Sequence, residues 1–217
     1  MNIASLIDHT LLRQTSTSGE MEKLCSEAAE YGFAAVCVPP PFVKRVKIIL
    51  APVDVKIATV IGFPFGYAAT EAKLAETVLA LVDGADELDM VINLVALRMN
   101  DWDYLQKEVK LLADVVHKKG KLLKVIIESG ILTDEEIIKC CNTIGRSGID
   151  FMKTSTGYAE KGASVEAVLL MRKHLPPEVK IKASGGIRDY AFAKALVNAG
   201  ADRLGCSASV AIVKGQS

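Results

Sequence analysis

Short apolar runs and longer amphipathic segments alternate along the whole chain. The runs recur about every 22 to 35 residues, and the segments between them repeat apolar residues at the spacing of a helix. The clear runs occupy residues 34–38, 55–61, 87–92, 122–128, 149–153, 179–183 and 203–206, and a weaker one occupies 8–12. This order predicts eight strands that alternate with helices.

The predicted helices have recognisable ends. Residues 70–84 and 101–119 are amphipathic, and each helix ends at or just before a glycine. Thr133 and Glu136 have the spacing of a capping box, which predicts a helix over 137–145. The first of these helices carries Leu74, Val78, Leu81 and Val82 on one apolar face.

The strand order predicts the fold class. Strands that are joined by helices pair in parallel, and helices cover a parallel sheet. Eight such units can close into a (β/α)8 TIM barrel, and no linker or shift in composition divides the chain. We therefore predict an α/β fold with a single domain over residues 1–217. The alternative is an open doubly wound sheet, which is expected to carry a glycine-rich nucleotide-binding pattern after its first strand, and the sequence has none there.

Strand parity separates an apolar face from a charged one, because successive side chains of a strand point to opposite sides. In four consecutive runs the apolar positions share one parity, and the opposite parity carries Asp89, Lys124 or Glu128, Lys153 and Lys182. Since helices cover the outside of a barrel, these charged side chains are predicted to face its axis. Charges buried there must be paired, and the carboxyl ends of the strands form the active site in this fold.

Composition narrows the classes of partner. Lysine plus arginine and aspartate plus glutamate number 26 each, so no long-range field favours nucleic acid or an anionic membrane surface. The five cysteines lack paired CxxC spacing, which predicts reduced, buried thiols and no metal site. Residues 1–8 lack the basic start and apolar stretch of a secretory signal, and no apolar run reaches ~18 residues. We expect a cytoplasmic protein.

Lys153 and Lys182 end two successive strands and can cooperate chemically. A Schiff-base nucleophile must be an unprotonated amine, whereas a free lysine has a pKa of ~10.4. At ~6 Å and an effective dielectric constant of ~20, the charge of Lys182 lowers the pKa of Lys153 by about 2, and burial acts in the same direction. Asp89 can then transfer protons, and no cofactor is required. The alternative is a buried lysine–aspartate ion pair that only fixes the strand register.

The loops after the seventh and eighth strands form a candidate phosphate site. Residues 184–188 and 205–209 contain glycines, and each loop opens a helix whose amino end is positive. In barrels of this type these two loops frequently bind phosphate. The alternative is that the glycines only form turns. Arg188 either contacts the phosphate or caps a helix.

Three further features lie inside the predicted barrel or at its catalytic end. The first strand places either Asp8 or His9 inside the barrel. Cys37 has inward parity, and a small buried cysteine is its usual role. Residues 62–66 form a Gly-Phe-Pro-Phe-Gly loop at the catalytic end, which either walls a pocket or turns the chain.

Six segments spread over nearly the whole chain resemble the deoxyribose-phosphate aldolase family. The most specific motifs are Lys-Thr-Ser-Thr-Gly at 153–157 and Lys-Ala-Ser-Gly-Gly at 182–186. The other segments are Ile-Asp-His-Thr-Leu-Leu at 7–12, Ala-Thr-Val-Ile-Gly-Phe-Pro at 58–64, Glu-Leu-Asp-Met-Val-Ile-Asn at 87–93 and Lys-Val-Ile-Ile-Glu at 124–128.

The resemblance implies a class I aldolase that reversibly cleaves 2-deoxy-D-ribose 5-phosphate to D-glyceraldehyde 3-phosphate and acetaldehyde, in deoxyribose phosphate catabolism. It implies the Schiff base at Lys153, the amine that lowers its pKa at Lys182, proton transfer at Asp89 and a supporting carboxylate at Asp8. Binding of the sugar phosphate is expected at Thr156, Gly157, Gly185, Gly186, Gly205 and Ser207. A homo-oligomer is expected, with the sugar phosphate and aldehydes as small-molecule partners.

Two positions depart from the family pattern and bear on phosphate affinity. Tyr158 stands where some members have a lysine, and Ala208 leaves fewer hydroxyls after the last strand than members commonly have.

Three other functions fit parts of the pattern: another Schiff-base sugar-phosphate aldolase, a non-catalytic sugar-phosphate sensor, and a metal-dependent barrel isomerase or lyase. The intact set of Lys153, Lys182 and Asp89 disfavours the sensor. The scattered histidines disfavour the metal enzyme, and they are His9, His117 and His174.

Overall fold

The computed structural model describes residues 2–215 and contains a closed barrel of eight parallel strands. Met1, Gln216 and Ser217, which include both ends of the predicted domain, lie outside the described residues. The strands are β1 (Ile7–Thr10), β2 (Ala35–Val38), β3 (Lys56–Ile61), β4 (Glu87–Val91), β5 (Leu122–Ile126), β6 (Phe151–Lys153), β7 (Lys180–Ser184) and β8 (Arg203–Cys206). They follow chain order, and β8 pairs with β1 to close the barrel. The (β/α)8 TIM-barrel prediction is confirmed.

Helices cover the outside of the barrel. They are α1 (Ser18–Tyr31), α2 (Val43–Ile49), α3 (Thr70–Asp83), α4 (Leu94–Arg98), α5 (Trp102–His117), α6 (Asp134–Thr143), α7 (Val165–His174), α8 (Tyr190–Asn198) and α9 (Ser209–Lys214). The predicted capping box of Thr133 and Glu136 begins α6, and Gly84 ends α3 in the left-handed conformation that glycine favours. Within residues 2–215, none of these helices combines the length and apolar character that a membrane span requires.

The apolar core has two layers, because a parallel sheet of this kind is buried on both faces. The larger layer lies between the strands and the surrounding helices. A smaller cluster of Cys37, Ala58 and Val60 belongs to β2 and β3, and Leu12 and Phe63 pack against it. Almost all residues of the eight strands are buried, so the charged side chains that point toward the barrel axis lie in the protein interior.

The buried side of α3 does not coincide with its apolar face. The buried side chains of this helix are Lys73, Thr77 and Ala80, whereas Val78 is 46% exposed and Val82 is 77% exposed. Lys73 is buried because Glu108 on α5 neutralises its charge, at 2.9 Å between Nζ and Oε2. A partner on a different helix therefore turns a lysine inward. On the apolar face of α3, Val78 and Val82 are exposed and Leu74 and Leu81 are half-buried.

Candidate active site

Adjacent strands bring the predicted charged residues together inside the barrel. Lys153 on β6 pairs in register with Lys182 on β7, and Asp89 on β4 pairs with Lys124 on β5. All four side chains are buried. The inward orientation predicted from strand parity is confirmed.

Asp89 lies at the centre of this charged group. Its Oδ1 accepts a hydrogen bond from Lys124 Nζ at 2.7 Å. Its Oδ2 accepts one from Lys153 Nζ and one from Lys182 Nζ, each at 2.7 Å. Three ammonium groups therefore compete for one carboxylate, and Lys153 and Lys182 share a single oxygen of it.

The other cations of the group each have a second carboxylate. Lys182 also donates a hydrogen bond to Asp8, which is fully buried on β1. Lys124 also forms an ion pair with Glu87, at 2.6 Å. Arg203 joins the two halves, because its guanidinium donates to Asp8 at 2.5 Å and to Glu87 at 3.2 Å. Of the two residues that the first strand could turn inward, Asp8 is the one inside the barrel.

Lys153 has the weakest compensation of these cations. Within residues 2–215, the one carboxylate oxygen at ion-pair distance from its ammonium is Asp89 Oδ2, which Lys182 also uses. Burial lowers the pKa of Lys153, the Asp89 carboxylate opposes that effect, and the charge of Lys182 adds to it. The net result is a lowered pKa, which increases the fraction of neutral, nucleophilic amine at neutral pH.

The neighbours of Lys153 keep their charges. Burial acts to lower the pKa of Lys182, but the carboxylates of Asp8 and Asp89 outweigh it and raise that pKa above its usual range. Burial acts to raise the pKa of Asp89, yet Lys124, Lys153 and Lys182 hold it well below its usual value. At neutral pH, Lys182 is therefore an ammonium and Asp89 a carboxylate.

A cavity of about 530 Å³ opens at the carboxyl ends of the strands. Lys153 lines it, whereas Lys182, Asp89 and Asp8 are fully buried behind Lys153. Of the charged group, Lys153 is therefore the amine that a molecule in the cavity can reach.

The residues predicted to bind the sugar phosphate all line this cavity, and they are Thr156, Gly157, Gly185, Gly186, Gly205 and Ser207. Arg188 lines it as well, which favours the first of its two interpretations. Residues 10–15 form another part of the wall. Sequence reasoning missed this segment, because a loop without periodic pattern gives no signal of what it faces.

Two glycines keep space open next to the charged group. A Cβ atom at Gly205 would lie 2.8 Å from Cβ of Ser184 and 3.1 Å from Cε of Lys182, so a side chain here would collide with the serine and crowd the lysine. Gly185 has a φ of +90°, and a Cβ atom there would lie 3.0 Å from the Cα of Gly162. Gly185 and Gly205 are thus required by the packing around the cavity.

Glu128 organises the loop that follows β6. The hydroxyl of Thr156 donates to its Oε2 at 2.5 Å, and the Thr156 amide donates to its Oε1 at 3.2 Å. Burial raises the pKa of Glu128. Of the two inward charges left open on the fifth run, Lys124 joins the Asp89 group, and Glu128 holds a residue of the cavity wall.

The loop at 62–66 supports the cavity wall through Phe63. The Phe63 ring packs edge-on against Tyr158, with 5.4 Å between ring centroids. Tyr158 lines the cavity, and its hydroxyl donates to the carbonyl oxygen of Leu12 at 2.9 Å. The tyrosine that departs from the family pattern therefore connects the loops after β6 and β1.

Sequence reasoning singled out neither Glu87 nor Arg203. Glu87 shares the parity of Asp89, and Arg203 precedes Gly205 by two residues on β8, so strand parity could have placed both inside. Cys37 does lie inside the barrel, where burial raises the pKa of its thiol. The histidines are apart, and the described part of the chain holds no cluster of three or more His, Cys, Asp or Glu side chains suited to a metal ion.

Comparison with known proteins agrees with this geometry. Residues 3–212 match the family described as DeoC/LacD family aldolase. The chain is 52% identical to the deoxyribose-phosphate aldolase of Thermococcus gammatolerans, over 99% of this chain and 96% of that protein. It is 48% identical to the enzyme of that name from Caldanaerobacter subterraneus, over 99% of this chain and 93% of that protein.

Two solved structures superpose on nearly the whole chain. An aldolase named QR15 has a TM-score of 0.93 and 38% identity, covering 98% of this chain and 94% of that one. The deoxyribose phosphate aldolase of Aeropyrum pernix, described as a unique tetrameric structure, has a TM-score of 0.92 and 34% identity, covering 98% and 89%. With the family match over residues 3–212, these relatives establish that the chain belongs to the DeoC/LacD aldolase family.

Proposed function

We propose that the chain is a class I aldolase that reversibly cleaves 2-deoxy-D-ribose 5-phosphate to D-glyceraldehyde 3-phosphate and acetaldehyde. The observation that carries this proposal is the position of Lys153, whose amine is buried, weakly compensated and in reach of the cavity. Such an amine suits imine formation with an aldehyde. The relatives of 48% and 52% identity that bear the name of this activity support the choice of substrate.

The reaction runs through an imine at Lys153. The neutral amine adds to the aldehyde carbon C1 of the open-chain sugar, and loss of water leaves the imine. The imine takes up a proton and becomes an iminium. A base removes the proton of the C3 hydroxyl, the C2–C3 bond breaks, and its electron pair forms the C1–C2 double bond and neutralises the iminium nitrogen. Glyceraldehyde 3-phosphate leaves, and an enamine remains on Lys153. Protonation at C2 and hydrolysis then release acetaldehyde and restore the amine.

Asp89 is the proposed proton carrier, and the charge pattern explains when it acts. The free site holds its pKa low, because three ammonium groups surround the carboxylate. Cleavage turns the iminium at Lys153 into a neutral enamine, so the positive charge there disappears and the proton affinity of Asp89 rises in the step in which it takes up a proton. Lys182 keeps Lys153 poorly protonated, and Asp8 holds Lys182 in place through its ion pair.

The phosphate group is assigned to the wall formed by the loops after β7 and β8. Gly185, Gly186, Gly205 and Ser207 bring backbone amides and a hydroxyl to this wall, and Arg188 adds a positive charge. Thr156 and Gly157 lie beside Lys153 and are assigned to the sugar. The distance from the Lys153 amine to the phosphate loops must match the distance between the aldehyde carbon and the phosphate of the substrate, which favours a short phosphorylated aldehyde.

Reductive trapping tests the proposal. Borohydride is added in the presence of acetaldehyde or 2-deoxyribose 5-phosphate, and peptides are mapped by mass spectrometry. We expect a stable secondary amine on Lys153 and none in the Lys153→Met variant. An adduct on another lysine, or an unchanged adduct in the variant, would contradict the mechanism.

Substrate comparison separates the related functions. Turnover of 2-deoxyribose 5-phosphate but not of fructose phosphates distinguishes this activity from other Schiff-base aldolases. Activity that resists EDTA separates it from a metal-dependent isomerase or lyase, and binding without turnover would indicate a sensor.

We also propose that the chain forms a homo-oligomer through α2 and α3. Exposed apolar side chains concentrate there, and contiguous ones mark interfaces; they are Ile48, Val78, Leu79 and Val82. The tetramer described for the Aeropyrum pernix relative supports self-association. Val82→Glu is expected to lower the mass measured by sedimentation, whereas Leu169→Glu on α7, where the leucine is 53% exposed, serves as the control. An unchanged mass for Val82→Glu would exclude this face.

A cytoplasmic location is part of the same proposal. All five cysteines are free and buried, which is the usual state of thiols in a reducing compartment. Fractionation of cells that produce the chain tests this location directly.

A further inference from the structure

His9 lies directly next to Asp8 on β1 but points to the other side of the barrel wall. Its side chain is buried between β1, α1 and α9, and its ring packs against Phe33 with 5.1 Å between centroids. Nδ1 lies 2.9 Å from the hydroxyl of Ser209, and Nε2 lies 2.8 Å from Oε2 of Glu27. The mechanism above uses none of these groups.

The hydroxyl of Ser209 connects His9 to the end of β8. This hydroxyl donates a hydrogen bond to the carbonyl oxygen of Cys206 at 2.9 Å, and Ser209 is fully buried. Residues 205–207 include Gly205 and Ser207, two members of the cavity wall. His9 thus reaches, through one hydroxyl, the segment to which the phosphate is assigned.

Counting protons defines two states of this contact. A serine hydroxyl has one proton, so when Ser209 donates it to Cys206, His9 must supply the proton between Nδ1 and the hydroxyl oxygen. The Nε2 contact with the Glu27 carboxylate also requires a proton on the ring, and both contacts together require the imidazolium. A neutral ring has one proton. With that proton on Nδ1, His9 donates to the hydroxyl of Ser209, which stays on Cys206; with the proton on Nε2, the ring donates to Glu27 and the hydroxyl turns to Nδ1.

The groups around His9 have opposing effects on its pKa. Burial lowers the pKa of His9 and outweighs the Glu27 carboxylate, which acts in the opposite direction, so the pKa lies below the usual value of a histidine. Lys23 contacts the other oxygen of Glu27, at 3.7 Å. The remaining ionisable groups near the ring are Asp8 across the barrel wall, Arg13 and Glu20 at the adjoining surface, and the Cys206 thiol.

We propose that His9 is a positioning residue that holds the Gly205–Ser207 segment in place for the substrate phosphate, acting through the hydroxyl of Ser209. The inference rests on the proposed function, because the phosphate is assigned to that segment there. It explains why a polar ring and a polar hydroxyl are both buried on the outer side of β1, where the neighbouring positions are apolar. His9 does not touch the reacting atoms.

Two variants of His9 separate its two contacts. In His9→Asn the side-chain amide can take the place of Nδ1 and keep the contact with Ser209, whereas in His9→Gln it reaches the position of Nε2 and keeps the contact with Glu27. Ser209→Ala removes the hydroxyl itself. Each variant is assayed with 2-deoxyribose 5-phosphate and with unphosphorylated 2-deoxyribose.

We expect His9→Gln and Ser209→Ala to raise KM for the phosphorylated substrate about tenfold, with kcat little changed, since one buried hydrogen bond is lost in each. His9→Asn is expected to stay within about twofold of the wild type. In all three variants, kcat/KM for 2-deoxyribose should remain unchanged. Combining His9→Gln with Ser209→Ala should add nothing further, because both remove the same contact.

Equal losses with both substrates would overturn the inference, because they would indicate a disturbance of Asp8 or of the fold. Equal damage from His9→Asn and His9→Gln would also overturn it. If His9→Gln does not fold, Ser209→Ala with inorganic phosphate as a competitive inhibitor gives the same answer: an unchanged inhibition constant contradicts the role of the hydroxyl. A wild-type enzyme that does not distinguish the two sugars would contradict the phosphate assignment, and with it this inference.

Discussion

Lys153 and Lys73 are two buried lysines of the same barrel with opposite prospects for chemistry. Burial lowers the pKa of both. Lys73 on α3 donates to Glu108 and to the carbonyl oxygen of Val91, each at 2.9 Å. Lys153 shares one carboxylate oxygen with Lys182 and borders the cavity.

Burial alone does not make a lysine a nucleophile. Lys73 has a carboxylate that no other lysine contacts at ion-pair distance within the described residues, so its charge is well compensated. Lys153 competes for its carboxylate and faces open space. The two lysines are almost equally buried, with exposed fractions of 0% for Lys73 and 2% for Lys153. They differ in whether another lysine competes for the counter-charge and in whether a carbonyl compound can reach the amine.

Removing the amine of Lys153 has the largest expected effect on activity. Lys153→Met is expected to lower kcat/KM by about 10⁴-fold or more, which is the scale seen when a covalent nucleophile is deleted. Steady-state assay with 2-deoxyribose 5-phosphate measures the loss. Lys73→Met is the matched control, since it removes an equally buried amine and should still give the borohydride adduct on Lys153. A residual activity of Lys153→Met above one hundredth of the wild type would contradict the assignment.

The same control variant has a large effect of its own, on stability. Lys73→Met leaves Glu108 buried without its cation, which is expected to cost about 3–5 kcal/mol of the free energy of unfolding. Chemical denaturation measures it. The double variant Lys73→Met/Glu108→Leu should recover most of the loss, because two apolar side chains can replace a buried ion pair. A loss below about 1 kcal/mol in the single variant would show that the pair is not needed for folding.

The same pair of lysines shows where sequence reasoning succeeds and fails. Strand parity places Lys153 inside the barrel, because it depends only on alternation along one strand and on helices covering the other face. Lys73 was missed, because its burial depends on Glu108, which lies 35 residues further along the chain on another helix. An amphipathic pattern shows that α3 has an apolar face but not whether the barrel or another molecule covers it.

The candidate site follows the same division. The roles proposed for Lys153 and Asp89 derive from short motifs and from strand ends, which sequence displays directly. Sharing of one Asp89 oxygen between two lysines could not be predicted, because it depends on side-chain conformations and on the barrel register. The contribution of residues 10–15 to the cavity wall could not be predicted for a related reason. It depends on the closure of β8 onto β1, which no local sequence pattern encodes.

Lys182→Met sharpens the role of competition at Lys153. Without Lys182, one positive neighbour disappears and Asp89 Oδ2 serves Lys153 alone, and both changes raise the pKa of Lys153. Since kcat/KM increases as the amine loses its proton, the acidic limb of its pH profile should move to higher pH, by up to about 2. Burial, the larger cause of the lowered pKa, remains, so activity should partly recover at alkaline pH. An acidic limb that stays in place would contradict the proposed role of Lys182.

The smallest expected effects come from the ion pair of Glu87 and Lys124, and their signs are opposite. Glu87→Gln removes a negative charge and should lower the pKa of Lys153, whereas Lys124→Met removes a positive charge, frees Asp89 Oδ1 and should raise it. The shift of the acidic limb of kcat/KM should be about 1 for Glu87→Gln and about 1.6 for Lys124→Met, the Coulomb effects of a unit charge ~10 Å and ~7.5 Å away at an effective dielectric constant of ~20. Loosened packing would move both limbs in the same direction. Opposite shifts therefore identify the electrostatic balance around Asp89 as the property that sets Lys153 apart from Lys73.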